Sequence, residues 1–218
     1  MLTTTLLTTL TLALTLPTTT LSAPSNTRPD TLSATSIIAL DPTTSNCADA
    51  PAEGECRTAL SAAPYIGLSF HNFDIPTFGA QAALLSLMLF ETAGFKYSKN
   101  HFPGRPGQGT RNMQMYKFNL QYANWLAKNC KNCGISAEDV EAAEKESKDA
   151  VLALVNSDQW GFSSAAWYLD TQCDASIKEG LAREDETGWE AYLTECVGTE
   201  VTEDRTVIWK KAIELGHW

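Results

Sequence analysis

The sequence predicts an all-α domain stapled by three disulfides, and three observations carry that prediction. Strand signals are scarce, and from residue 81 onward apolar residues recur at helical spacing between loops marked by Gly and Pro. Cys47, Cys56, Cys130, Cys133, Cys173 and Cys196 form an even set in a chain whose start reads as an export signal. About 170 residues follow the first cysteine, enough for one domain with a sizeable core.

Residues 1–23 hold no charged side chain and form a leucine run broken by threonines, ending at Ser22-Ala23. This matches the apolar region and small-residue cleavage site of a signal peptide. No later stretch is long and apolar enough to cross a bilayer, so the mature chain is expected outside the cell without a membrane partner. Residues 24–46 are rich in Ser, Thr and Pro and read as a spacer or pro-segment ahead of a domain over 47–218. No Asn-x-Ser/Thr acceptor occurs.

Six cysteines allow fifteen pairings, and proximity favours Cys47–Cys56, Cys130–Cys133 and Cys173–Cys196. Cys130-Lys131-Asn132-Cys133 offers half of a zinc site, but no second Cys pair or His cluster completes it. Its flanks read as helix, so a thioredoxin-like motif, which needs a preceding strand, does not fit either. No metal or cofactor is expected.

The net charge of −10 is unevenly spread. Residues 24–134 carry nine Lys/Arg against seven Asp/Glu, whereas 135–218 carry seven against nineteen. Within 92–134 lie Lys96, Lys99, Arg105, Arg111, Lys117, Lys128 and Lys131 and no acid. Such a segment is a solvated face or an attraction for an anionic polymer; overall acidity and export count against nucleic acid.

The first strong helix is 82–90, Ala-Ala-Leu-Leu-Ser-Leu-Met-Leu-Phe, apolar on nearly every face and therefore buried. Residues 95–109 hold Pro103, Gly104, Pro106, Gly107 and Gly109 and form a loop. Helical period returns over 110–130, with Met113, Phe118, Tyr122, Trp125 and Leu126 as core candidates. Ser136 with Glu138 and Asp139 opens a helix to about Val155. Shorter helices are expected over 163–172, 174–182 and 187–197, and a last one over Glu203–Leu215, capped by Thr202 and closed by Gly216. Trp160, Trp167, Trp189 and Trp209 read as core rather than as a ligand platform.

Glu91 is the leading functional candidate. It ends the most apolar helix, where desolvation and the negative helix terminus both favour a protonated carboxyl, the state a general acid needs. The competing reading is a carboxylate turned out to water.

Phe90-Glu91-Thr92-Ala93-Gly94-Phe95, followed by Gly107-Gln108-Gly109-Thr110-Arg111-Asn112-Met113-Gln114, resembles the lysozyme-like superfamily, within it the lytic-transglycosylase and goose-type branch. In that pattern a buried helix ends in Glu-Ser-x-Phe, and Gly-x-x-Gly-Leu-Met-Gln opens the next. The resemblance covers roughly residues 80–125 and implies Glu91 as catalytic acid and Met113-Gln114 in a sugar-binding cleft. Thr92 replaces the family's Ser, and Thr110-Arg111-Asn112 interrupts the second motif. The activity so implied is a secreted glycoside hydrolase (muramidase or lysozyme-like) on peptidoglycan, with chitin or chitosan as runner-up polymers and a monomer as the working form. A non-catalytic carbohydrate-binding or effector protein on the same fold is the alternative from another class.

Gln108, Thr110, Asn112 and Gln114 offer hydrogen bonds to a sugar, Tyr97 and Tyr116 offer ring faces, and His101 offers a loop contact. A second carboxylate would have to come from Asp74, Asp158 or Asp170, because 92–134 contains none.

Overall fold

The structure, a computed structural model, describes Met1 and residues 32–218. The expected signal peptide and the start of the spacer lie outside the described residues. The rest is helical: α1 Ala34–Leu40, a 3₁₀ turn Pro42–Ser45, α2 Ala59–Asn72, α3 Phe78–Glu91, α4 Tyr116–Asn129, α5 Ala137–Glu146, α6 Lys148–Val155, α7 Asp158–Gln172, α8 Ala175–Leu181, α9 Glu186–Ala191, a π-helical turn Tyr192–Val197 and α10 Glu203–Leu215. No strand longer than an isolated bridge occurs among the described residues.

α3 is the central rod. Its residues from Ala82 to Leu89 are all buried, as expected for a helix apolar on every face. α10 packs along one side of it, while α2 pairs with α7 and α4 with α6 around it. Trp189 stacks on Trp209 with centroids 5.7 Å apart, and its indole N–H donates to Thr206 at 3.3 Å. That arrangement buries two large rings and satisfies the polar atom of one.

Several sequence expectations need correction. Residues 33–46 are no loose spacer: Ser33 caps α1, and Ile37 and Leu40 enter the core. Two apolar residues on one face of a seven-residue helix suffice to dock it where a large core already exists. α2 has no counterpart in the predicted elements, because its small and mixed residues (Ala59, Ala62, Ala63, Pro64, Gly67) dilute the helical period. The segment 110–115 is turn and α4 starts only at Tyr116. The helix expected over 136–155 breaks at Ser147, whose hydroxyl caps α6 by accepting from the Ala150 N–H. The six cysteines pair as proximity suggests, with Cα separations of 5.9, 5.6 and 5.2 Å in chain order. No helix among the described residues is long and apolar enough to cross a membrane.

Gly79 permits a close helix approach. A Cβ there would collide with the Leu181 carbonyl oxygen and lie 2.9 Å from Glu184 Cγ, so α3 could not meet α8 as it does. Gly79→Ala is expected to lower stability by about 1–3 kcal/mol through overpacking. A urea unfolding midpoint equal to that of the wild type would show that α8 can shift at no cost.

Candidate functional site

The site begins where α3 ends. Glu91 is its last residue, and the chain leaves it through Ala93, Gly94 and Phe95, all with positive φ (50°, 68° and 63°). Thr92 secures this turn: its hydroxyl donates to the Met88 carbonyl at 2.6 Å and accepts the Phe95 N–H at 3.0 Å. A second irregular segment faces it, with Thr110 at φ 65° and Met113 at φ 49°. Four of the six non-glycine residues with positive φ among the described residues thus sit in two short segments bordering one cleft. Such conformations cost of order 1–3 kcal/mol each and gather at ligand sites.

The cleft has two lobes that meet at Glu91. One, of about 310 Å³, is lined by Glu91, Arg205, Gln108, Asn112, Gln114, Tyr168 and Tyr192, with Val197, Gly198 and Thr199 along a rim. The other, of about 330 Å³, is lined by Glu91, Tyr97, Lys99, Asn100, His101, Phe102 and Gln108. Glu91, Gln108 and Met113 border both. Phe102 is almost fully exposed at the outer edge of the second lobe.

Glu91 is held by a residue from the far end of the chain. The packing of α10 on α3 brings Arg205 Nη2 to 3.1 Å from Glu91 Oε1, while the guanidinium lies 4.4 Å above the Phe90 ring. The side chains are only 16% and 22% exposed, so this pair is more than a passing surface contact. Arg205 donates to Glu91 Oε1, so this side chain serves there as a hydrogen-bond acceptor. Burial pushes the Tyr192 phenol up, and nearby Tyr168 and Glu91 add to the effect.

The cleft floor is polar and tightly bonded. Gln114 Nε2 donates to Asn119 Oδ1 at 2.7 Å, and Asn119 Nδ2 donates to the Gly107 carbonyl at 2.8 Å. Gln108 Nε2 donates to the Met113 carbonyl at 2.9 Å. Gly109 donates its N–H to the Gln114 carbonyl, in a space where a Cβ would lie 2.7 Å from the Ser98 carbonyl oxygen. Only glycine fits there.

The predicted site residues therefore separate. Glu91, Gln108, Asn112 and Gln114 share one lobe, and Tyr97 and His101 share the adjoining one. Thr110 is fully buried, its hydroxyl bonded to Asn112 Oδ1 at 2.8 Å, so it orients a cleft residue without lining the cleft. Tyr116 lies outside both lobes, beneath the Lys148 ammonium. None of the proposed second carboxylates lines either lobe. Asp74 sits in the exposed turn after α2, Asp158 pairs with Arg57 at 2.7 Å, and Asp170 pairs with Lys178 at 2.6 Å.

The basic segment is mostly solvated, with Lys99, Arg105, Lys117, Lys128 and Lys131 exposed, and Arg111 is its exception. Arg111 is 2% exposed; it donates to the carbonyls of Phe95 (3.2 Å), Tyr97 (2.9 Å) and Glu55 (2.8 Å) and lies over the Phe162 ring. Desolvation, helped by Arg57 and opposed by Asp158 and Glu55, pulls its guanidinium down to about 10. Glu55 carries the opposite logic. Burial acts to raise its carboxyl, but hydrogen bonds from Ser98, His101 and Lys99 together hold it below the ordinary value. Arg205 and Tyr192 were not legible as site residues, because each reaches the cleft from a distant part of the chain; Glu55 was missed too, and it bonds Ser98, Lys99 and His101 without lining either lobe.

No protein-family model and no solved structure matches the chain. Over 141 residues, 64% of its length, the chain is 41% identical to a Fusarium oxysporum (strain Fo5176) protein described as a bifunctional dioxygenase (DOX)-epoxy alcohol synthase (EAS). The matched stretch is 11% of that protein, so the chain spans about a tenth of its relative. This finding corrects the expected activity. The relative is named for oxidative chemistry, and the glycoside hydrolase reading, with its cell-wall or chitin substrate and Glu91 as acid, is overturned.

Proposed function

We propose that this chain is a ligand-binding domain of an oxidative enzyme system, its two-lobed cleft at Glu91 receiving an oxygenated organic molecule of the epoxy alcohol class. The observation that carries the reading is the meeting of two lobes at a carboxylate held by Arg205. An alcohol hydroxyl can donate to Glu91 Oε2, which has no partner among the hydrogen bonds of the described residues. The flanking Tyr192 and Asn112 supply donors for a second oxygen, while Tyr97 and Phe102 supply faces for an apolar part. The name of the Fusarium relative supports the choice of ligand class.

Dioxygen chemistry calls for a redox-active metal or organic cofactor. Among the described residues no group of three or more His, Cys, Asp and Glu is placed to hold a metal, and the six cysteines are committed to disulfides. The donor set does not fit a metal centre, and no oxidative step is assigned to these residues. The disulfides support a place outside the cell for the domain.

Titration of the domain with 2,3-epoxy-1-octanol, 1,2,3-octanetriol and 1-octanol, followed by amide chemical shifts, tests the reading. The first two are expected to bind about threefold to tenfold more tightly than 1-octanol, the difference of one additional buried hydrogen bond from Tyr192 or Asn112. Shifts should centre on Glu91, Gln108 and Tyr97. Equal binding of all three compounds, or saturation only by amino-sugar oligomers, contradicts the proposal.

A further inference from the structure

Each lobe of the cleft has one wall tied down by one disulfide. Cys47–Cys56 ends beside Glu55, whose carboxylate accepts the backbone N–H groups of Ser98 (2.8 Å) and Lys99 (3.3 Å) and pairs with His101 Nε2 (2.7 Å). Arg57, on the other side of Cys56, donates its N–H to the Phe95 carbonyl at 3.0 Å. The wall that carries Tyr97 and His101 therefore hangs on a loop whose two half-cystines are nine positions apart. Cys173–Cys196 joins the end of α7 to the π-helical turn, whose continuation through Val197 and Thr199 forms the rim of the Arg205 lobe. The Tyr168 hydroxyl donates to the Cys196 carbonyl at 3.2 Å on the same rim. Cys130–Cys133 lies in the turn between α4 and α5 and borders neither lobe.

We propose that Cys47–Cys56 and Cys173–Cys196 are struts of the cleft, one for each lobe, and that reducing either with a thiol loosens its lobe while the helical core holds. The functional sense of this device rests on the reading of the cleft as a ligand site. The chemistry is ordinary exchange: a thiolate attacks one sulfur, the S–S bond breaks, and a second thiol resolves the mixed disulfide. Two protein thiols and one oxidised reagent dimer result. The core is expected to hold because α3 packs on α10 and α2 on α7 within one apolar cluster, with Cys173 and Cys196 only at its margin.

Native-state hydrogen exchange on the full chain tests the proposal. Replacing Cys47 and Cys56 together by Ser is expected to speed exchange at Ser98 and Lys99 by about tenfold or more, with α3 changed much less. Replacing Cys173 and Cys196 should do the same at Thr199, whose N–H donates to the Leu193 carbonyl at 2.9 Å. Replacing Cys130 and Cys133 should leave all three amides as they are. Glu55→Ala keeps the disulfide and should reproduce the effect at Ser98 and Lys99. If a cysteine variant does not fold, mild dithiothreitol treatment of the wild type decides the question. Loss of protection spread evenly over lobes and α3, or no loss at all, overturns the proposal. Affinity for 2,3-epoxy-1-octanol is measured in parallel: failure of the wild type to bind removes the ligand reading, while the exchange result still judges the struts.

Discussion

Arg111→Met is expected to be the most damaging single change outside the apolar core, lowering stability by about 3–5 kcal/mol. The guanidinium donates to three carbonyls that come from two separate segments, 95–97 and Glu55, and its plane lies 4.8 Å above Phe162. Met keeps an unbranched apolar stem, two atoms shorter, but removes every donor. Each buried carbonyl left without a partner costs about 1–3 kcal/mol. One term opposes this: Arg111 is itself desolvated, as its lowered value near 10 shows, so removing the charge recovers part of the loss. Three lost bonds outweigh that recovery. Arg111→Lys, with one ammonium in place of a planar fork, should fall between wild type and Met. Urea unfolding checks the order. A Met variant as stable as the wild type would mean that water enters and serves the carbonyls.

How much of this was legible in the sequence differs from element to element. α3 was, because an apolar run with Ala, Leu and Met in place of β-branched residues leaves one packing solution, a buried helix. The final helix was, because Glu203 and Asp204 open it and Gly216 closes it with φ 79°. The three cysteine pairs followed proximity, where loop closure is least costly. α1 was missed because a Ser/Thr/Pro-rich composition conceals two core residues, Ile37 and Leu40.

In the site, residues adjacent in sequence were readable and distant ones were not. Glu91, Gln108, Asn112 and Gln114 were singled out together because two short motifs flank one loop. Arg205 joins Glu91 across 114 positions from a helix whose other polar residues look alike. Glu55 looked like one more acid in a small disulfide loop, although it anchors Ser98, Lys99 and His101. Chemistry was the least legible part. A carboxylate closing a buried helix fits several reactions, and only the partner across the cleft shows that this one is held as an acceptor.

Glu91→Gln is expected to weaken binding of 2,3-epoxy-1-octanol by about tenfold to a hundredfold, the usual range for replacing a charged acceptor by a neutral one. The amide keeps the volume and one oxygen, so the far-ultraviolet dichroism and the unfolding midpoint should change little. Arg205→Met tests the partner. It leaves Glu91 without its cation and the Phe90 ring without the guanidinium above it. The expected result is a comparable loss of binding with a modest loss of stability, about 1–2 kcal/mol, because both side chains are mostly shielded from water. The double variant separates two roles for the pair. If Arg205 acts by holding the carboxylate in place, its loss should cost little more once Glu91 is already Gln, and the two effects will fall well short of additive. Additive effects would show that each residue touches the ligand independently. Unchanged binding in both single variants would remove the Glu91 cleft as the site.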